Sequence, residues 1–356
     1  MTHRGKAMAL IGAQWGSEGK GVIAHLLADH FDAAVRVGGP NAGHSFYEDR
    51  VLYVARSVPC VWTNPDAGLF IGAGATINPH LLEAELEETD TDIMVDPVAV
   101  IITEEMEHAE LSTIREKIGS TAEGVGEARV ARMRRNGGAI MAGDYKGWSD
   151  RVKIGDVSEA LDEIMEEGGL VFLEGTQGSG LSLLHGTHYP WATSTDTNSS
   201  GLASEVGIAP SDVGHVQLVA RTFPIRVAGN SGPMGKELDW SYFVDRGLAP
   251  APERTTVTKK VRRISEWYWP VVEKAVRMNK PCGLWLTFGD YLDPEVRGAT
   301  DISGSRPVND FIDMVVGQLG VPVLGVGTGP VKDAGGVTVD FATARVSTHC
   351  SHGVAW

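Results

Sequence analysis

The stretch that decides the fold is LIGAQWGSEGKGVIAHLL, residues 10–27. It passes from an apolar strand into a turn carrying Gly12, Gly16, Gly19 and Gly21, then into a helix whose Val22, Ile23, Leu26 and Leu27 share one face. A strand, a glycine-rich turn and a helix N-terminus together present backbone N–H groups to a phosphate. Lys20 adds a point charge for the same anion, and the glycines let it come close to the backbone. The spacing is not Walker A, which places four residues between its glycines and a Ser or Thr after the lysine. Here Gly21 follows Lys20. Ser17 sits at the centre of the turn beside an acid, Glu18, and its small hydroxyl is the feature that needs explaining.

Outward from this stretch, strand-length apolar runs alternate with helical patterns. AMALIGA (7–13) and AAVRVGG (33–39) flank the first helix. GLFIGAGATI (68–77) leads into NPHLLEAELEE, with Asn78 as N-cap and Pro79 at the first helical position. VAVII (98–102) precedes a helical stretch at 104–118, and VSEALDEIMEEGG precedes LVFLEG (170–175). VQLVARTF, a helix at 265–279, GLWLTF (283–288), a helix at 307–318 and VPVLGVG (321–327) complete the series. Near-continuous apolar strands separated by helices predict an α/β fold, one large mostly parallel sheet with helices on both faces, as a single domain over 1–356. The acidic run 83–92 reads as a solvated helix face, and TSTDTNSSG (193–201) reads equally as linker or ligand-contacting loop.

Composition narrows the function classes. The chain has 356 residues, 42% hydrophobic and 22% charged, with a net charge of −15. That balance argues against a nucleic-acid footprint, while a local site still accommodates a small anion. Cys60, Cys282 and Cys350 have neither metal spacing nor the makings of a disulfide framework, which fits reduced thiols in a cytoplasm. No run of about 18 apolar residues exists to span a membrane, and the apolar N-terminal stretch is too short for a signal peptide.

A second motif, GGPNAGHSF, spans Gly38 to Phe46 at the end of the second strand, where open α/β sheets place ligands. Its His44 is the one side chain there that titrates near neutrality. QWGSEGKG and NAGHS together resemble the adenylosuccinate synthetase family, whose usual strings are Q-W-G-D-E-G-K-G and N-A-G-H-T. The likeness continues in IGSTAEGVG (118–126), EGTQGSGLSLLHGTHYPWATSTDTNSSG (174–201), TVTKKVRRISEW (256–267), LWLTFGDYLD (284–293) and GVGTGP (325–330).

The resemblance implies a P-loop NTPase-related fold and a two-step ligase reaction. A nucleoside triphosphate phosphorylates the 6-oxygen of a purine monophosphate, and the amine of L-aspartate then displaces that phosphate. Catalytic positions would be Ser17, Lys20, His44 (as acid) and Gln177. The monophosphate would be held by Ser17, Asn41, Ser120, Thr121, Gln177 and Thr193, with Arg134 or Arg135 (the latter preferred) reaching across a homodimer. Gly16, Glu18, Gly19, Lys20, Gly21, Gly43, His44, Ser45 and Gly327 would meet the triphosphate, whose base Asp290 would read. Thr258, Lys260, Arg262 and Arg263 would form the aspartate loop, and Mg²⁺ would sit at Ser17 and the Gly43 carbonyl.

Departures from the family pattern carry the specificity. Ser17 stands where the family has the aspartate that takes the proton from ring position 1 of the purine. A hydroxyl cannot replace a carboxylate of pKa about 3.9 as a base near neutral pH. A smaller neutral residue leaves room for a 2-amino group, and a bacteriophage-encoded subgroup that carries serine here acts on dGMP. Val261 falls where the family places an arginine near the ribose 2′-hydroxyl, which suits a deoxyribose or reflects a one-residue shift of the loop. Phe288 and Gly289 replace a lysine-leucine pair before Asp290, which opens the donor to ATP or dATP. The expected reaction joins L-aspartate to dGMP with ATP or dATP. An ordinary synthetase using IMP and GTP, and a nucleotide-binding regulator without turnover, are the alternatives.

Overall fold

The structure, a computed structural model, describes residues 4–49, 51–255, 259–330 and 339–342. Its centre is a ten-stranded sheet made of β1 (Ala7–Gly12), β2 (Ala33–Arg36), β3 (Gly68–Ile71), β4 (Ile93–Val95), β5 (Val152–Ile154), β6 (Val171–Gly178), β7 (Val213–Arg221), β8 (Gly283–Thr287), β9 (Val323–Pro330) and β10 (Val339–Ala342). The spatial order is β10-β9-β8-β7-β1-β6-β2-β3-β4-β5. Nine strands are mutually parallel, and only the edge strand β10 runs antiparallel to its neighbour.

The apolar runs form such a sheet because both of its faces are covered. Every residue of β1 is buried. Ala9 and Ile11 point into one apolar cluster, Met8 and Leu10 into the other, as the two-residue strand period requires. The first face is closed by helices Val157–Glu166, Trp269–Asn279 and Arg306–Leu319 through Leu161, Met165, Val272 and Val315. The second is closed by Lys20–Leu26 and Pro79–Thr89 through Ile23, Leu82 and Leu86. Each such side chain contributes roughly 1.5–3 kcal/mol on burial. Asn78 caps the second of these helices, accepting from the Leu81 N–H at 3.2 Å.

Three expected elements differ in the structure. The strand over 68–77 stops at Ile71, where Gly72 and Gly74 donate to the carbonyls of Arg36 and Glu205. Thr76–Ile77 then pairs with Val100–Ile101 in a separate ladder. The helix over 104–118 is interrupted at Ile114. The helix over 265–279 starts only at Trp269, with Pro270 in its first turn. Before it, Arg263–Ser265 is the central strand of a small antiparallel sheet with Ile225–Arg226 and Glu237–Leu238. The stretch 193–201 is ordered by its own polar groups, with Asn198 capping helix Ser199–Val206 and Thr197 bonded to the Gly178 carbonyl. Cys350 lies outside the described residues, and among those described no helix is long and apolar enough to cross a membrane. The strands β1, β2, β6, β7 and β8 bring their C-terminal ends to one edge, where the candidate site lies.

Candidate active site

The glycine-rich loop joins β1 to helix Lys20–Leu26. Gly16 and Gly19 take φ of 93° and 89°, a left-handed backbone that favours glycine. A Cβ on Gly12 would stand 2.7 Å from the Gln177 carbonyl. Glu18 folds back into the loop. Its Oε1 accepts from the N–H groups of Gln14 (3.0 Å) and Gly16 (2.8 Å), and its Oε2 pairs with Lys20 Nζ at 2.9 Å. Both partners are buried. Two amides expected at a phosphate are thus already satisfied by the chain's own carboxylate.

Behind the loop lies a buried ionic cluster. His44 opens the hairpin His44–Glu48/Val51–Ala55 and points inward, while Ser45 faces solvent. Glu174, in the middle of β6, accepts from His44 Nδ1 at 2.6 Å, from Arg36 Nη1 at 2.8 Å and, through Oε2, from the Cys60 N–H at 2.7 Å. The proton therefore sits on Nδ1, and the buried Nε2 has no partner among the described residues. Burial, with Arg36 nearby, lowers the His44 imidazole to about 4. Burial alone would raise the Glu174 carboxyl, but Arg36 and His44 hold it at about 2. His44 at rest is a neutral imidazole, so it acts as an acid only after Nε2 gains a proton. His44, Cys60 and Glu174 are spaced like metal ligands, yet burial pushes the Cys60 thiol well up and Arg36 already supplies the cation.

The cavity in front of the loop has a volume of about 970 Å³. Of the residues singled out in the sequence, Gly16, Ser17, Asn41, Gly43 and Gln177 form one part of its wall. Ser120, Thr121, Thr193, Lys260 and Arg262 form another. Gln177 adopts φ 62°, a strained backbone for a non-glycine residue. Arg262 Nη1 donates to Ser17 Oγ at 2.8 Å, so the turn and the basic loop meet at the serine. Beneath them Arg221, buried at the end of β7, pairs with Glu253 and lies 3.6 Å over the Phe288 ring. The Tyr291 hydroxyl donates to the same Glu253 at 2.9 Å.

Other candidates lie apart from the cavity wall. Lys20 and His44 are buried behind it, with Gly21 between, since a Cβ there would stand 2.7 Å from His44 Cβ. Asp290 is buried beside Arg297, whose Nε donates to its Oδ2 at 3.2 Å, while its Oδ1 has no partner among the described residues. Burial raises its carboxyl to about 6 against the pull of Arg297. Gly327, on β9, lies near this loop, its carbonyl 3.3 Å from where a Gly289 Cβ would stand. Arg263 is tied to Glu237 and to the Gly232 carbonyl within the small sheet. Arg135 is exposed at the end of helix Val125–Arg134, and Val261 is 38% exposed and away from the cavity. Thr258 lies outside the described residues.

The functional groups that sequence reasoning missed are Arg36, Glu174, Arg221, Glu253 and the cavity residues Arg56 and Arg226. For Arg36, Glu174 and Arg221 the signal was a charge in an otherwise apolar run, as in AAVR, VFLEG and VQLVAR, whereas Glu253 lies in a loop and gave none.

The donors at the expected Mg²⁺ position do not make a resident metal site. Ser17 Oγ accepts from a guanidinium, and Glu18 is committed to Lys20 and two amides. Mg²⁺ needs carboxylates or substrate phosphates around it, so these residues would hold it only together with a bound triphosphate.

Comparison with known proteins agrees with this geometry. The adenylosuccinate synthetase family model matches residues 9–145 and 140–300. The adenylosuccinate synthetase of Pyrococcus horikoshii is 35% identical over 335 residues, covering 91% of this chain and 96% of its own. That of Thermococcus sibiricus is 36% identical over 334 residues, covering 90% and 95%. Among solved structures, the cyanophage S-2L succinoaminodeoxyadenylate synthetase (PurZ), bound to dGMP and dATP as an energy donor, superposes with a TM-score of 0.81 at 28% identity, over 96% of this chain and 95% of that one. The fully ligated Plasmodium falciparum adenylosuccinate synthetase shares the fold, with a TM-score of 0.81 at 21% identity, over 91% and 98%. With its phosphate loop, His44 hairpin and cationic cavity on one sheet edge, the chain belongs to the adenylosuccinate synthetase family and is a carbon–nitrogen ligase.

Proposed function

We propose that the acceptor is dGMP and that the product is 2-amino-2′-deoxy-N6-succinyladenylate, a precursor of 2-aminoadenine DNA, with ATP or dATP as donor. One observation carries this reading. Ser17, on the cavity wall, offers a small neutral hydroxyl bonded to Arg262 where the family pattern has an aspartate. The exchange leaves space and an acceptor lone pair for a 2-amino group. The dGMP- and dATP-bound cyanophage enzyme of the same fold supports it. Phosphoryl transfer depends on positioning and charge. Lys20 neutralises the transferring group, His44 meets it through Nε2, and Asn41, Thr121, Gln177 and Thr193 hold the monophosphate. Lys260 takes a carboxylate of L-aspartate, and Asp290 reads the donor base. Exposed Arg135 suits a homodimer in which it reaches the partner's monophosphate, and the reaction fits a cytoplasmic enzyme of the infected cell.

A second reading, IMP with GTP, is favoured by the 35–36% identity to archaeal adenylosuccinate synthetases. Steady-state turnover with dGMP, GMP and IMP, each with aspartate and ATP, dATP or GTP, separates the two. Turnover of IMP without dGMP rejects the dGMP assignment, and binding without any turnover would favour a regulator.

A further inference from the structure

We infer that Arg262, oriented by Ser17, replaces the missing side-chain base by making the N1–H of the bound 6-oxopurine acidic enough to lose its proton to solvent hydroxide. The inference rests on the family reaction at a 6-oxopurine and on position 17 facing ring position 1. It holds for dGMP and IMP alike, since both carry N1–H.

Among the described residues the wall of the cavity offers no free carboxylate for the task. Among the described residues its wall holds five cations, Arg56, Arg115, Arg226, Lys260 and Arg262, and one acid, Glu110. Glu110 accepts from the N–H groups of Gly124 (3.0 Å), Gly126 (2.6 Å) and Glu127 (3.3 Å), so its oxygens hold the loop that begins helix Val125–Arg134. Behind the wall, Glu18 belongs to Lys20, Glu123 to Arg56 and Glu253 to Arg221.

Arg262 is fixed in place. Besides the bond from Nη1 to Ser17 Oγ, its Nε donates to the Arg254 carbonyl at 3.3 Å and its backbone N–H to the Glu253 carbonyl at 2.8 Å. The charged groups that face it are Glu253 and Arg221. Lys260 shares its loop and wall, and the Lys20–Glu18 pair lies in the turn that carries Ser17. Glu253, the one acid that faces it, is paired with Arg221, and a serine anchor adds no negative charge, where an aspartate would neutralise the guanidinium and take the proton itself.

The chemistry balances. Hydroxide takes the N1 proton to give water, and the N–H electron pair moves through the ring onto O6. That oxygen then attacks the γ-phosphorus, and the bond to the β–γ bridging oxygen breaks as the nucleoside diphosphate leaves.

The test is the pH dependence of kcat at saturating substrates, on whichever of dGMP or IMP turns over. Wild type is expected to rise about tenfold per pH unit between pH 6 and 8, with a plateau above. A cation within about 4–6 Å of an ionising group moves its pKa by about 1–3 units, so Arg262→Gln is expected to lose about 10- to 1000-fold at pH 7. That loss shrinks as the pH rises toward 9.5, and Arg262→Lys, which keeps the charge, recovers most of the rate. Binding of the monophosphate alone gives a second readout. Wild type releases a proton at pH 7.5 and shifts the ultraviolet spectrum of the purine, and Arg262→Gln does neither. A flat wild-type profile, or an Arg262→Gln loss that stays constant with pH, overturns the inference. Turnover of IMP instead of dGMP removes the acceptor assignment alone.

Discussion

Replacing Ser17 by aspartate would restore the family residue at the point where this chain departs from it. The carboxylate would stand where Ser17 Oγ now lies, 2.8 Å from Arg262 Nη1. A bond between a hydroxyl and a guanidinium would become a fully charged pair, and hydrogen bonds to charged groups contribute about 1.5–3 kcal/mol. The pair would hold Arg262 against the turn, and the larger side chain would occupy the space assigned to the 2-amino group. A loss of at least about 1.4 kcal/mol in transition-state binding follows for dGMP, or about tenfold in kcat/KM. IMP has no 2-amino group and gains a base, so its kcat/KM should rise. The assay is phosphate release with each acceptor, over matched concentrations of aspartate and ATP. An unchanged kcat/KM for dGMP, or equal losses with both acceptors, would refute the assignment of Ser17 as selector.

Three further perturbations bear on the rest of the site. Glu174→Gln leaves Arg36 buried without its counter-charge; breaking a buried pair costs about 3–5 kcal/mol, so the urea midpoint should fall along with kcat, and an unaltered midpoint would contradict the cluster. His44 is held at about 4 and Glu174 at about 2, so the unfolded chain binds the extra protons and stability is lost as pH falls from 6.5 toward 4 and again below 4.5; a thermal midpoint equal at pH 7 and pH 5 would argue against this. Asp290→Asn should raise the KM of the donor nucleotide about tenfold or more while leaving that of the acceptor within about twofold, and a parallel rise in both would place Asp290 elsewhere than at the donor base.

The parallel sheet was legible because its strands are apolar on both faces, and β1, β2, β6, β7, β8 and β9 all appear as apolar runs. The glycine turn and the motif around His44 were legible because their residue types serve phosphate chemistry locally, whereas the hairpin that His44 opens was not read. The late start of helix Trp269–Asn279 was hidden because Arg263, Ile264 and Ser265 form a strand only through partners at Ile225–Arg226 and Glu237–Leu238, distant in sequence. The ionic groups were hidden for a related reason. Glu174 binds His44 and Cys60 across separations of 130 and 114 residues, and Arg221 stacks on Phe288 from another strand end. Local pattern shows that a charge lies in an apolar strand, but only the folded sheet shows which opposite charge receives it.

The position of Glu18 changes what nucleotide binding has to accomplish. With Oε1 on the Gln14 and Gly16 amides and Oε2 on Lys20, the turn carries its own placeholder anion. Its curvature is set when the chain folds, before any nucleotide arrives. An incoming phosphate that uses these donors spends its binding energy on displacing Glu18 and little on ordering the turn.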